Sequence, residues 1–260
     1  MTNQPKIISQ KFIIPGLDVL ALTAWGALLL KYWFTGQLYL LIHRDYFKYV
    51  VVTAICLLIM AALSAMQLIG KVLNNRKESR SVAVLQHITL FPPGWSSVLL
   101  LLTAIAGLLV APRAFTSNTA LDRGITDSLT LTRAQPQSFR SSTRPEARSL
   151  IDWMRTLNFN PEPDTYTGQK VKVKGFAVHP PKLSEQYLLI SQFVITCCAA
   201  DAYPVGLPVK LTQNRAAYAP DTWLEVEGEM ITETLEGKRQ LTIKANSLKK
   251  VEAPKNPYDY

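Results

Sequence analysis

No catalytic signature is spelled out anywhere in the 260 residues of this chain. It has no G-x-S-x-G elbow, no phosphate-binding P-loop, no H-E-x-x-H and no Rossmann glycine pattern, so nothing points to an enzyme. Cysteine is scarce: Cys56, Cys197 and Cys198 are the full set. Three cysteines, two of them adjacent, cannot build the disulfide framework of a small secreted domain. Excess positive charge is missing from the second half of the chain. Residues 147–260 hold fourteen Lys/Arg against thirteen Asp/Glu, so the net charge of +9 lies elsewhere. A nucleic-acid-binding domain would concentrate its basic residues on itself, so no nucleic-acid partner is expected.

Charge is also nearly absent from three long stretches near the amino end, and those stretches are what the sequence has in abundance. They run over about residues 12–34, 49–73 and 95–112. A helix needs about 20 apolar residues to cross ~30 Å of hydrocarbon. The first two runs meet that length. The third is slightly short, with Phe91 and Trp95 placed to extend it at the interface. Tyr32, Trp33, Tyr46, Phe47 and Tyr49 stand where aromatic belts form. The first run is longer than the apolar core of a cleaved leader, and no small-residue cleavage site follows it promptly. Residues 1–112 are therefore read as a transmembrane anchor of three helices in a lipid bilayer.

Orientation follows from the distribution of cations. Lys6 and Lys11 precede the first span, and Lys71, Arg76, Lys77 and Arg80 follow the second. The opposite loop carries Lys31, Arg44 and Lys48. This places the N-terminus in the cytoplasm and the C-terminal domain outside it. Asp18 lies inside the first run. A carboxylate at bilayer depth is costly and often functional, but a span beginning near Leu17 would leave Asp18 at the interface. Cys56 reads as a small apolar residue against a neighbouring helix.

Residues 113–146 are rich in Ser, Thr, Arg and Pro and lack hydrophobic periodicity, which reads as a polar linker. Pro145 then suits the first turn of a short amphipathic helix carrying Ile151, Met154 and Leu157. Strand patterns follow at 168–179, 186–197, 222–234 and 239–251, with a further short strand at 207–211. Gly228 marks a bulge or bend, and Glu236–Gly237 a turn. Residues 147–260 are thus expected to be a small all-β domain, an OB-like barrel first and a β-sandwich second.

The chemistry-bearing segment is FVITCCAADAYPVGLPV, residues 193–209. Adjacent Cys197 and Cys198 end an apolar strand, and Asp201 follows. Three readings stand side by side. Two thiolates suit a borderline-soft ion such as zinc, with Asp201 as an oxygen ligand and His179, in HPP, or water as a fourth. A vicinal thiol pair could instead serve exchange in a membrane-tethered redox protein or sensor. The third reading is structural, with one thiol buried, the other neutral, and Asp201 capping a turn.

Three segments carry a family resemblance: LLVAPRAFTSNTALDRG (108–124), RTLNFNPEPDTYTGQKVKVKGFAVHP (155–180) and FVITCCAADAYPVGLPV, before a closing NPYDY. Together they resemble the DUF1980 family of YcgQ-like permease subunits. The resemblance implies an accessory membrane subunit in a bacterial inner membrane, working with a larger multi-span permease usually encoded beside it. It also implies a link to metal homeostasis, zinc above all. Three spans without an internal repeat agree with a helper, since transporters usually build their site from repeats.

Overall fold

Apolar runs whose side chains cannot satisfy their own backbone fold as helices, where every amide finds a carbonyl four residues back. In the computed structural model, which describes residues 4–73, 94–125 and 144–259, these are α1 (Gln4–Phe34), α2 (Phe47–Leu73) and α3 (Trp95–Leu109). Backbone contacts divide the chain into two units, Met1–Leu38 with Arg44–Pro112, and Tyr39–His43 with Arg113–Tyr260.

In the first unit, Ile13–Phe34 and Arg44–Lys71 are long and apolar enough to cross a bilayer, with mean hydropathies of 1.9 and 2.4. The third expected span is shorter than read from sequence. Its 15 helical residues end at Leu109 rather than Pro112, because the residue before a proline is driven out of the helical region. At 1.5 Å per residue, α3 covers only ~22 Å. The cations Arg76, Lys77 and Arg80, and the interfacial Phe91, lie outside the described residues. Small residues fill the seams between helices. Ala21, Ala54, Ala61 and Ala104 are buried, whereas Leu20, Ile55, Ile59 and Leu63 point outward. The small residues allow close backbone approach, and the large apolar side chains are left on the outside of the helices. A Cβ on Gly107 would lie 2.9 Å from Leu28 Cδ2, so a larger residue at this α1–α3 contact would have to displace the Leu28 side chain.

Four polar contacts climb both helices in step. Ser97 Oγ donates to Asp18, Trp25 Nε1 to the Leu100 carbonyl (2.9 Å), Tyr32 Oη to that of Gly107 (2.6 Å) and Lys31 Nζ to that of Leu108 (2.7 Å). Helices α1 and α3 therefore run parallel. The last two contacts cap carbonyls that the end of α3 leaves without helical partners, and a cation suits that negative end.

The second unit begins sooner than a polar linker over 113–146 would allow. Residues 117–123 form α4 (Ser117–Arg123), with Ala120 fully buried, and Phe115 packs into a core. Residues 126–143 of the expected linker lie outside the described residues. The helix expected at Pro145 starts later. Pro145–Ala147 is a 3-10 turn, and α5 (Leu150–Phe159) follows a capping box in which the Ser149 hydroxyl and the Asp152 carboxylate satisfy each other's backbone amides. It buries Trp153 and Met154 completely.

Six strands follow: β1 (Lys170–Val178), β2 (Tyr187–Val194), β3 (Tyr203–Lys210), β4 (Trp223–Leu235), β5 (Lys238–Lys250) and the short β6 (Tyr258–Asp259). The strand expected at 207–211 begins four residues earlier, and β2 stops at Val194 instead of reaching Cys197. In β1, Val171 and Val173 face the core, while Lys172 outside pairs with Glu225 and Glu227 of β4. Strand β1 pairs with both β4 and β2, β2 with β3, β3 in parallel with β5, and β5 with β4. Five strands thus form a closed circuit of neighbours, with β6 added alongside β2. The irregularity at Glu227/Gly228 and the Glu236–Gly237 turn, both residues at positive φ, stand where the sequence placed a bulge and a hairpin.

Circuit closure depends on Gly175, just before β1 passes from its β4 partner to its β2 partner. A Cβ at Gly175 would stand 2.5 Å from the Ser191 carbonyl oxygen. Gly175→Ala is expected to cost ~2–3 kcal/mol of stability through overpacking against backbone. Exposed Lys174→Ala should cost less than ~1 kcal/mol. Denaturant titration of the two variants in detergent, followed by tryptophan fluorescence, measures the difference.

Candidate functional site

Strand β2 ends at Val194, buried Ile195 anchors the chain, and Thr196–Asp201 turns it toward β3. Three successive backbone amides in this turn face inward and need an acceptor. Asp201 supplies it. Its Oδ2 accepts from the Cys197 amide at 2.8 Å and from the Thr196 hydroxyl, and its Oδ1 from the Thr196 and Cys198 amides, both at 3.3 Å. Burial opposes the charge on Asp201, but hydrogen bonds from Cys197, from Thr196 and from the two cysteine amides hold its carboxyl below the usual carboxylate range. Three backbone amides, the Thr196 hydroxyl and the Cys197 thiol crowd the roughly four lone-pair sites of a carboxylate. Asp201 is thus fully engaged in shaping the turn.

The turn brings the two thiols together. Cys197 is exposed, Cys198 half-buried, and both are free. Their sulfurs lie 3.7 Å apart, and the candidate ligand atoms of Cys197, Cys198 and Asp201 all fall within 4.8 Å of one another. Two Zn–S bonds of ~2.3 Å at the tetrahedral angle span ~3.8 Å, so the sulfurs already have the separation a tetrahedral ion requires. The same surroundings discourage a bare thiolate. The Asp201 carboxylate accepting from the thiol, then the Cys198 thiol beside it, push Cys197 up to about 12. Reactive cysteines sit in electropositive settings, and this one does not.

Three distant segments converge behind the turn. Tyr258 of β6, paired beside Phe193 and Val194, accepts from the Phe115 amide through its hydroxyl (3.0 Å). Arg123 of α4 lies over the Phe115 ring, 4.7 Å from its centroid, and donates to the Ala202 carbonyl just past Asp201. The segment between α1 and α2 also comes in. The Ala199 amide donates to the Leu41 carbonyl (2.8 Å), the His43 amide to the Cys197 carbonyl (3.0 Å), and Ile42 bridges Cys198 in antiparallel register.

The other residues singled out from sequence lie apart from this turn. His179 follows β1, whose last residue Val178 pairs with Leu189, five positions before the end of β2. Burial pushes its pKa down, partly countered by a hydrogen bond with the Tyr218 backbone, and its Nε2 is buried with no partner among the described residues. It is not in the thiol group, and its place as a fourth ligand is corrected accordingly. Asp18 belongs to the helical unit, where Ser97 satisfies it. Thr196, Leu41–His43 and Tyr258 join the turn without a sequence signal for it. Their pairings join residues far apart in sequence, and segments of two or three residues carry no periodicity to read.

Comparison with known proteins finds two family models. The DUF1980 N-terminal domain matches residues 17–126, and the DUF1980 C-terminal domain matches residues 143–260. No curated protein and no solved structure matches.

Because the Cys197 pKa is raised, the thiol is almost wholly neutral at pH 7–8, and thiolate rises about tenfold per pH unit below the pKa. Alkylation of Cys197 in a Cys56→Ser, Cys198→Ser background should therefore be slow at pH 8 and still climb at pH 10. Asp201→Asn removes the first cause of the shift, and about tenfold faster labelling at pH 8 is expected. Iodoacetamide kinetics read by mass spectrometry checks both outcomes.

Proposed function

The chain belongs to the DUF1980 family, and from that premise we propose that it is an accessory membrane subunit of a permease complex. Its extracytoplasmic β unit captures a borderline-soft divalent cation, zinc foremost, for a larger multi-span partner. The observation that carries this reading is the thiol pair: two free sulfurs 3.7 Å apart on a turn pre-shaped by Asp201. A preformed site loses little freedom on binding, which favours capture. Electrostatics prefer a cation to redox chemistry. The carboxylate that suppresses thiolate formation on Cys197 attracts a positive ion, and the ion itself displaces the thiol protons.

Three spans are supported by connectivity. Tyr39–His43, between α1 and α2, groups with Arg113–Tyr260 in one unit. With α2 crossing the bilayer, the chain has to cross again before Arg113, and α3 is the apolar helix in that interval, parallel to α1. Its ~22 Å of helix is extended toward the required thickness by Val110–Pro112 and by bilayer thinning. The cation distribution then puts the N-terminus in the cytoplasm of a bacterial cell and the β unit beyond the inner membrane. The spatial order β4-β1-β2-β3 is a Greek key, and its closure through β5 supports an OB-type barrel. Three helices with outward large apolar side chains are few for a carrier but suit packing against lipid and a larger permease.

Full-length protein purified in detergent should bind about one zinc ion per chain by calorimetry. Cys197→Ser/Cys198→Ser should abolish binding without loss of the helical and β circular dichroism. Affinity should fall steeply on acidification, by up to ~100-fold per pH unit where two thiol protons are displaced. Undiminished zinc binding by the double variant would overturn the reading.

A further inference from the structure

Helices α1 and α2 run antiparallel, close at one level and parted at another. A Cβ on Gly26 of α1 would stand 2.7 Å from Leu58 Cγ and 3.3 Å from the Ala54 carbonyl oxygen of α2, so the helices lie close there. Nearer the start of α1 and the end of α2 they leave a groove of about 470 Å³. Ile13, Gly16, Leu17 and Leu20 of α1 line it together with Leu68 and Ile69 of α2. A Cβ on Gly16 would meet nothing within 4 Å. We propose that this groove seats one acyl chain of an anionic phospholipid whose phosphate pairs with Lys71. The inference rests on the reading of α1 and α2 as membrane spans and is independent of the metal reading.

Lining, length and charge select that occupant. Every side chain lining the groove is apolar. At bilayer depth such a surface gains dispersion contacts only from hydrocarbon. From Ile13 to Leu20 the groove follows ~10 Å of helix at 1.5 Å per residue. That is most of the ~15 Å that one leaflet contributes to the hydrocarbon core.

The charge stands at the end where a headgroup would sit. Lys71 lies two residues past Ile69 in the last turn of α2, is exposed, and makes no ion pair among the described residues. A lysine stem runs along apolar surface and carries its ammonium to the headgroup level. In sequence, Lys6 and Lys11 precede Ile13, and Arg76, Lys77 and Arg80 follow α2 against the single acid Glu78. Basic pockets between spans on the cytoplasmic side favour anionic headgroups. A tail ending in a phosphate matches both the apolar wall and the cation, whereas an apolar helix of a partner matches the wall alone.

The test uses full-length protein washed free of lipid in detergent, then offered phosphatidylglycerol or phosphatidylcholine with the same acyl chains. Native mass spectrometry reads the lipid retained. Wild type should hold about one phosphatidylglycerol per chain and prefer it to phosphatidylcholine about fivefold or more. Lys71→Gln, a surface change that leaves the helices intact, should remove that preference. Gly16→Phe fills the groove and should lose the retained lipid, whereas Leu63→Phe, on the exposed face of α2, should not. Equal retention of the two lipids by wild type, or a Gly16→Phe variant that retains phosphatidylglycerol as wild type does, overturns the inference and leaves the membrane anchor standing. If Gly16→Phe loses a co-purifying permease while its lipid retention is unchanged, the groove holds a partner helix and the inference fails. If the full-length chain is soluble without detergent, the membrane reading falls and this inference with it.

Discussion

A backbone amide taken out of water needs an acceptor, and the organisation of this chain follows from that requirement at every scale. In the apolar half the answer is the helix, which pairs its amides within its own segment and turns mainly apolar side chains outward. In the polar half it is a sheet whose five strands pair in a circuit, β3 meeting β5 at Val209–Ile243 and Lys210–Lys244. At the smallest scale it is one carboxylate. Thr196, Cys197 and Cys198 leave the ladder of β2 with their amides unpaired, and Asp201 collects all three. The geometry of the two sulfurs is a by-product of that settlement.

Legibility from sequence tracked how local each cause is. Apolar length, alternation in β1, the bulge glycine at 228 and the Glu236–Gly237 turn all arise from a few neighbouring residues, and the pattern reveals them. The proline-driven end of α3 was available in principle, since Pro112 stands in plain view; hydropathy alone overran it. The segment after Arg113 was misjudged because its helix is only seven residues long and polar on most of its surface, with Ala120 and Phe115 doing the packing. Local composition could bring Cys197, Cys198 and Asp201 into one short segment. It offered Asp201 as a turn cap beside a ligand, but could not name Thr196 as its partner nor foresee that Leu41–His43 would pair with that turn. His179 was grouped with the thiols on residue type alone, and strand register separates them.

Asp201 shows how one charge does two things. Its hydrogen bonds consume its capacity as a ligand, while its field still acts on whatever stands beside it. For a proton on Cys197 that field means retention, and for a divalent ion it means attraction. A turn-former with a fixed negative charge therefore holds the thiol proton of Cys197 while shaping the turn, and Arg123 and Tyr258 keep the frame around it in place.

The pairing of Leu41–His43 with Cys197–Ala199 carries a temporal corollary. Ribosomes deliver the chain from its amino end, and early regions organise while later ones are still being made. The oldest connecting segment must await strands synthesised roughly 150 residues later before Leu41 and His43 gain these backbone partners. A polypeptide released early would keep its apolar helices yet lack the cysteine turn altogether. The junction thus closes only after the chain has been made as far as Ala199.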